Sequence, residues 1–230
     1  MNIQDSYKYD IQDLVDQILD ASKNGDNDGI TDLLSKGIDV NASGDDGETP
    51  LLVASLSGKI ETVRLLLGKG ACVNSREIDK MTPLACASLC GYADIAALLL
   101  DNGADIESRD SWSNTPLILS CRGGFSDLAE LLIDRGADIN SPDYMGFTPI
   151  VWSSWNAFRM ITELLLANGA DIGVVCDKFH DNNVTCLDYD ADIWKVESIQ
   201  ELIITKQPQN IKFLDEKIGI LPSLKKKYGL

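Results

Sequence analysis

Residues able to carry catalysis or to hold a metal are scarce in this 230-residue sequence. It has a single histidine, His180, in the polar stretch DKFHDNN, where a solvent-facing loop residue is the expected role. No glycine-rich phosphate-binding loop occurs, and the acidic residues stand at positions typical of turns and helix surfaces. An enzyme is therefore the least favoured class of function, and neither catalytic residues nor a cofactor is expected.

The sequence also lacks long apolar runs and paired cysteines. Its longest apolar runs, such as IAALLL at residues 95–100, are far too short to span a bilayer, and MNIQDSYKYD at the start has no secretory pattern. The six cysteines stand singly in apolar stretches, without the short paired spacings of zinc sites. We expect no membrane insertion, no metal, mostly buried free thiols, and a cytoplasmic or nuclear location.

Positive charge is scarce in most of the chain. The net charge is −16, and residues 206–230 hold six lysines against two acidic residues, a net +4, so residues 1–205 carry −20. A body this acidic repels nucleic-acid phosphates and anionic lipids, so neither is expected as a partner. It attracts basic segments instead.

What the sequence does contain is a 33-residue period. Thr-Pro recurs at residues 49–50, 82–83, 115–116 and 148–149. Glycines recur in the same register. Proline suits the first turn of a helix, the threonine before it suits the N-cap, and glycine suits the left-handed end of a helix. Each period thus predicts two short helices followed by a turn rich in Asp, Asn and Gly.

These motifs, such as TPLLVASLSG and GADIN, resemble those of the ankyrin repeat family. The resemblance implies an all-α solenoid of stacked helix–turn–helix units joined by β-hairpin-like loops, with a concave binding face. The register gives four segments. They are an N-terminal helix and capping repeat at 1–43, four regular repeats at 44–175, a degenerate fifth repeat with a longer hairpin at 176–205, and a basic helical cap or tail at 206–230.

The fourth repeat departs from this pattern in one helix-ending residue and in its aromatic content. Ala157 replaces the glycine between its two helices, which is expected to alter that turn. The stretch YMGFTPIVWSSW, residues 144–155, holds four aromatic residues. In the family, partners contact the hairpin tips and the exposed end of each first helix, while the fourth residue after the threonine packs inside. That register places Trp152 in the core.

The same register predicts a partner-binding surface. Its members are Trp112, Tyr144, Met145, Phe147 and Trp155, bordered by Arg122. Clustered exposed aromatic residues usually mark an interaction site, although these rings could instead pack against each other or against long hairpins.

Acidic residues on the hairpins form a rim around this predicted surface, among them Asp46, Glu48 and Asp79. Each one taken singly is more often a solvated charge. Together they would steer a basic segment toward the rings. The expected partner is a protein or peptide that is basic and carries an apolar or cationic anchor.

The sequence therefore predicts a monomeric, non-catalytic adaptor or scaffold. The alternative is a structural or regulatory module whose face is covered by its own C-terminal tail or used for self-association. Within that tail, NIKFLDEKIGIL predicts a short helix ended by Pro222, and its simplest role is to cover the last repeat.

Overall fold

The computed structural model describes residues 3–173, 194–195, 197–217 and 219–230, and the regular secondary structure in those residues is helical. The chain divides into two compact units, Met1–Ser111 and Trp112–Leu230, which we call the N-terminal and C-terminal units. No helix among the described residues is both long and apolar enough to cross a membrane. The predicted all-α repeat architecture is confirmed.

The N-terminal unit contains three helix pairs. Its helices are α1 (Ile3–Asn24), α2 (Asn27–Ser35), α3 (Pro50–Leu56), α4 (Ile60–Gly68), α5 (Pro83–Cys90) and α6 (Ala93–Asp101). The first helices of successive pairs pack side by side, α1 on α3 and α3 on α5, and the second helices pack in the same order, α2 on α4 and α4 on α6. Buried residues between them include Ile18, Leu52 and Leu84. Burial of these side chains is the main term that stabilises the stack.

The C-terminal unit continues the pattern and ends in a different arrangement. Its helices are α7 (Pro116–Gly123), α8 (Ser126–Asp134), α9 (Pro149–Trp155), α10 (Arg159–Ala167), α11 (Glu197–Lys206), α12 (Ile211–Lys217) and α13 (Pro222–Tyr228). Helix α7 packs on α9, and α10 packs on α11. The Thr-Pro-like segment of the predicted fifth repeat, residues 185–191, lies outside the described residues, as does His180.

Threonine caps the first helix of three repeats but not of the fourth. The hydroxyls of Thr49, Thr82 and Thr115 accept the N–H three residues later at 3.4, 3.2 and 3.3 Å. At Thr148 the N–H of Val151 bonds instead to the carbonyl oxygen of Thr148, at 3.0 Å. The Thr148 hydroxyl is buried and has no hydrogen-bond partner among the described residues. The sequence-based cap is thus confirmed in three repeats and wrong in the fourth.

Ala157 does not alter the turn between α9 and α10, contrary to expectation. Its φ is +58°, close to the +70° of Gly58 and the +79° of Gly124 at the same position in other repeats. The turn is therefore preserved, and alanine occupies a left-handed conformation that costs about 1–2 kcal/mol for a residue with a Cβ.

Neighbouring hairpins are joined by one main-chain hydrogen bond at a constant spacing of 32 residues. The N–H of Ile78 donates to the carbonyl of Asp46 at 3.0 Å, and the N–H of Ser111 to that of Asp79 at 2.8 Å. In the C-terminal unit, the N–H of Tyr144 donates to the carbonyl of Trp112 at 3.0 Å. These bonds hold each hairpin tip beside the next within a unit.

The C-terminal segment folds onto α11. Pro222 begins α13 rather than ending a helix, which corrects the sequence-based expectation. Proline fits there because the first turn of a helix needs no N–H donor. Leu214 and Leu224 are buried, and the side chain of Gln207 donates to the carbonyl of Ala170.

Candidate functional site

Two exposed rings come together on adjacent hairpins of the C-terminal unit. The main-chain bond between Tyr144 and Trp112 fixes the two tips, and the ring centroids lie 5.2 Å apart at an interplanar angle of 59°. Trp112 is 59% exposed and Tyr144 is 42% exposed. A tilted pair at this distance is a favourable aromatic contact, so the hairpins present one joined apolar surface.

Three further rings pack together at the end of α9. The Phe147 centroid lies 5.4 Å from that of Trp152 and 5.6 Å from that of Trp155, and the two indoles stack at 5.8 Å and 20°. Trp155 is 44% exposed, whereas Phe147 is fully buried. Phe147 therefore supports the exposed indoles from beneath.

The burial of Phe147 and Trp152 is the reverse of the sequence-based prediction. Phe147 was expected to face outward and Trp152 to lie in the core, but Trp152 is only partly buried. The cause is the indole N–H of Trp152, which donates to a carboxylate oxygen of Asp143 at 3.0 Å and so draws the ring toward the hairpin. The purely apolar ring of Phe147 has no such requirement and fills the interior.

Asp143 organises this part of the surface. One of its oxygens accepts the N–H of Met145 at 2.8 Å and the N–H of Phe147 at 2.9 Å, while the other accepts the indole of Trp152. The carboxylate is nearly buried, so these three bonds fix the hairpin against α9. The bond from Asp143 to an indole nine residues later is not indicated by the repeat pattern.

Arg122 contributes the positive charge of the surface. It is exposed near the end of α7, and its guanidinium carbon lies 5.5 Å from the Trp152 ring centroid. This distance is within the range of a cation–π contact, which extends to roughly 6 Å. Met145 is partly exposed on the neighbouring hairpin. We use the name aromatic surface for Trp112, Tyr144, Trp152 and Trp155 together with Arg122.

The predicted acidic residues lie in the other unit. Asp46 and Asp79 are exposed on hairpins of the N-terminal unit, and Glu48 is partly exposed. Partial burial, followed by the charges of Asp79, Glu48 and Asp46, raises the pKa of Glu77 above its usual value. These three carboxylates are therefore close enough to disfavour the charged form of Glu77, and a cation beside Glu77 would offset that effect.

The thiols divide by burial. Desolvation is the main cause that raises the pKa of Cys86 and that of Cys121 to about 12, so both stay protonated at neutral pH. Cys72 is exposed, unlike the buried thiols expected for most cysteines. Within the described residues, no group of three or more His, Cys, Asp or Glu side chains is arranged to hold a metal ion.

Comparison with protein families shows a match to a repeat family. The family model described as "Ankyrin repeats (3 copies)" matches residues 18–110 and 106–176, which is more than half of the chain. No curated protein matches the sequence.

Proposed function

Since the chain belongs to the ankyrin repeat family, whose members generally mediate protein–protein interactions, we propose that it is a non-catalytic adaptor that binds a partner segment through its aromatic surface. The observation that carries this proposal is the exposure of Trp112, Tyr144 and Trp155, at 59%, 42% and 44%, on one compact unit. Exposed tryptophan and tyrosine side chains are among those that most often supply the binding energy of an interface.

The surface is built to bind without rearranging. The hairpin tips are tied by their main chain, and Phe147 and Asp143 fix the indoles from below. A pre-ordered surface loses little side-chain entropy on binding, which favours affinity. The exposed face of Trp155 and the tilted Trp112–Tyr144 pair would receive an apolar anchor of the partner.

The charge of the chain favours a basic partner. The net charge is −16, and Asp46, Glu48 and Asp79 add local negative charge to the N-terminal unit. A segment that places Lys or Arg beside its apolar anchor would associate faster and more selectively. We propose that the protein acts as a monomer toward such a segment, in the cytoplasm or nucleus.

The contacts of the C-terminal tail favour a capping role over occlusion of the aromatic surface. Lys225 lies 2.8 Å from Asp215, and Lys227 lies 2.6 Å from Glu201. Hydrogen bonds from Lys227 and Tyr228 lower the pKa of Glu201, so this carboxylate stays charged and paired. Two of the six lysines of residues 206–230 are thus paired within the C-terminal unit.

Selection from a random peptide library displayed on phage tests the proposal. The parent protein should enrich peptides that carry an apolar residue flanked by Lys or Arg. The double variant Trp112→Ala/Trp155→Ala should bind these peptides at least about tenfold more weakly, since a central aromatic anchor contributes about 2 kcal/mol or more. Fluorescence anisotropy with the selected peptides measures the change.

Met160→Ala provides the matched control, because Met160 is 72% exposed on α10 and lies outside the aromatic surface. This variant should keep the parent affinity. If the double variant binds the selected peptides as the parent does, the aromatic surface is not the binding site. Light scattering over a range of concentrations separates this function from self-association.

A further inference from the structure

A second candidate binding site lies in the N-terminal unit, in a cleft of about 440 Å³ between α1 and α3. This volume is within the range of sites that hold small molecules or long side chains. The cleft lies wholly within one unit and shares no lining residue with the aromatic surface.

Three aliphatic residues line the cleft, and we call them its floor. Leu19 comes from α1, and Val53 and Leu56 come from α3. Leu56 is 43% exposed. By contrast, Ile18 and Leu52, which directly precede Leu19 and Val53 in the chain, are at most 2% exposed. The exposed aliphatic area would be covered favourably by a hydrocarbon stem laid along it.

Three acidic residues and one lysine also line the cleft, and we call them its rim. Asp16, Asp20 and Glu48 oppose Lys23, a net charge of −2. Among the described residues, Asp20, Glu48 and Lys23 form no ion pair with one another or with other side chains. The negative charge of Glu48 also helps to raise the pKa of Glu77.

We propose that this cleft binds the side chain of an arginine from a basic protein segment. The three-carbon stem would lie on the aliphatic floor and the planar guanidinium would reach the carboxylates of the rim. Arginine suits this arrangement because its planar fork can bond two carboxylate oxygens at once and because its head group is weakly hydrated. The proposal rests on the basic partner of the proposed function and shares Glu48 with it, but it uses none of the aromatic residues.

The chain's own tail is a weaker candidate for the occupant. Its Lys225 and Lys227 are already paired with Asp215 and Glu201. Charge complementarity therefore favours a cation that comes from another protein.

Nuclear magnetic resonance titration of the full-length ¹⁵N-labelled protein tests the cleft. The probe is acetyl-Gly-Leu-Arg-Gly-amide, and the reference peptide has citrulline in place of arginine, which keeps the shape and removes the charge. The backbone amides of Leu19, Val53 and Leu56 report on the cleft. The same titration on Trp112→Ala/Trp155→Ala separates this site from the aromatic surface.

We expect the arginine peptide to shift these amides in a saturable way, in the parent and in the tryptophan double variant alike. Asp20→Asn/Glu48→Gln should weaken binding about tenfold, as expected for the loss of two partly exposed ion pairs. The control Glu61→Gln/Asp94→Asn removes the same charge from exposed positions on α4 and α6 and should change affinity less than about twofold.

Three results would overturn the proposal. The citrulline peptide could bind as well as the arginine peptide, or the two charge variants could weaken binding equally, which would indicate only a diffuse field. Binding that appears only after deletion of residues 206–230 would identify the tail as the occupant instead.

Discussion

Removal of the Asp143 carboxylate should loosen the aromatic surface and destabilise the fourth repeat. The carboxylate is 6% exposed and accepts three hydrogen bonds of 2.8, 2.9 and 3.0 Å. A hydrogen bond to a charged group contributes about 1.5–3 kcal/mol. In the variant, the backbone N–H of the partly exposed Met145 can bond to water instead, so its loss costs less. We therefore expect Asp143→Ala to lower the free energy of unfolding by about 2–4 kcal/mol.

Urea unfolding followed by tryptophan fluorescence and far-ultraviolet circular dichroism measures this loss. Trp152→Phe removes only the indole donor and should cost about 1 kcal/mol. If the bond between Asp143 and Trp152 exists, the double variant should cost less than the sum of the single variants by about 1 kcal/mol. Costs that add to within about 0.3 kcal/mol would refute the contact.

Thr148→Val should leave the free energy of unfolding unchanged or raise it, because the buried Thr148 hydroxyl has no hydrogen-bond partner among the described residues. Thr115→Val should lower the free energy of unfolding by about 1 kcal/mol, because it removes the N-cap hydrogen bond to Ile118. Equal losses in urea would contradict this. Ala157→Gly should stabilise by about 1 kcal/mol because its φ of +58° suits glycine, and a lower melting temperature would count against the strain. Burial and neighbouring carboxylates raise the pKa of Glu77, so its charge destabilises the fold above that pKa. Glu77→Gln should therefore stabilise at neutral pH by less than about 1 kcal/mol, and the gain should vanish as pH falls below 4.5; a gain that does not change with pH would exclude this cause.

The helix boundaries could be predicted from the sequence because local chemistry determines them. Each Thr-Pro pair begins a helix at the proline, as in α3, α5, α7 and α9. Proline fixes the first turn, and the residue at the helix end needs only the left-handed conformation. The turn at Ala157 shows that the stacking of a repeat can impose that conformation on alanine.

The depth of each ring could not be predicted in the same way. Phe147 and Trp152 both belong to the fourth repeat, but their exposure depends on which side chain finds a polar partner at the hairpin. Asp143 on the hairpin contacts Trp152 in α9, and the periodicity of the sequence does not predict such a contact between two elements. The cleft beside α1 was missed for a related reason, because the first repeat has no Thr-Pro pair and its register could be aligned only by LDASKNG at 19–25.

The ladder of main-chain bonds between hairpin tips has a consequence for engineering. The bonds from Ile78 to Asp46 and from Tyr144 to Trp112 join peptide groups alone, so they do not depend on the side chains of these four residues. One tip carries an aliphatic residue and another a phenol on the same backbone. Side chains at these tip positions can therefore be substituted while the main-chain bonds between the hairpins are kept. New binding specificities could be introduced there without redesigning the helices of the repeats.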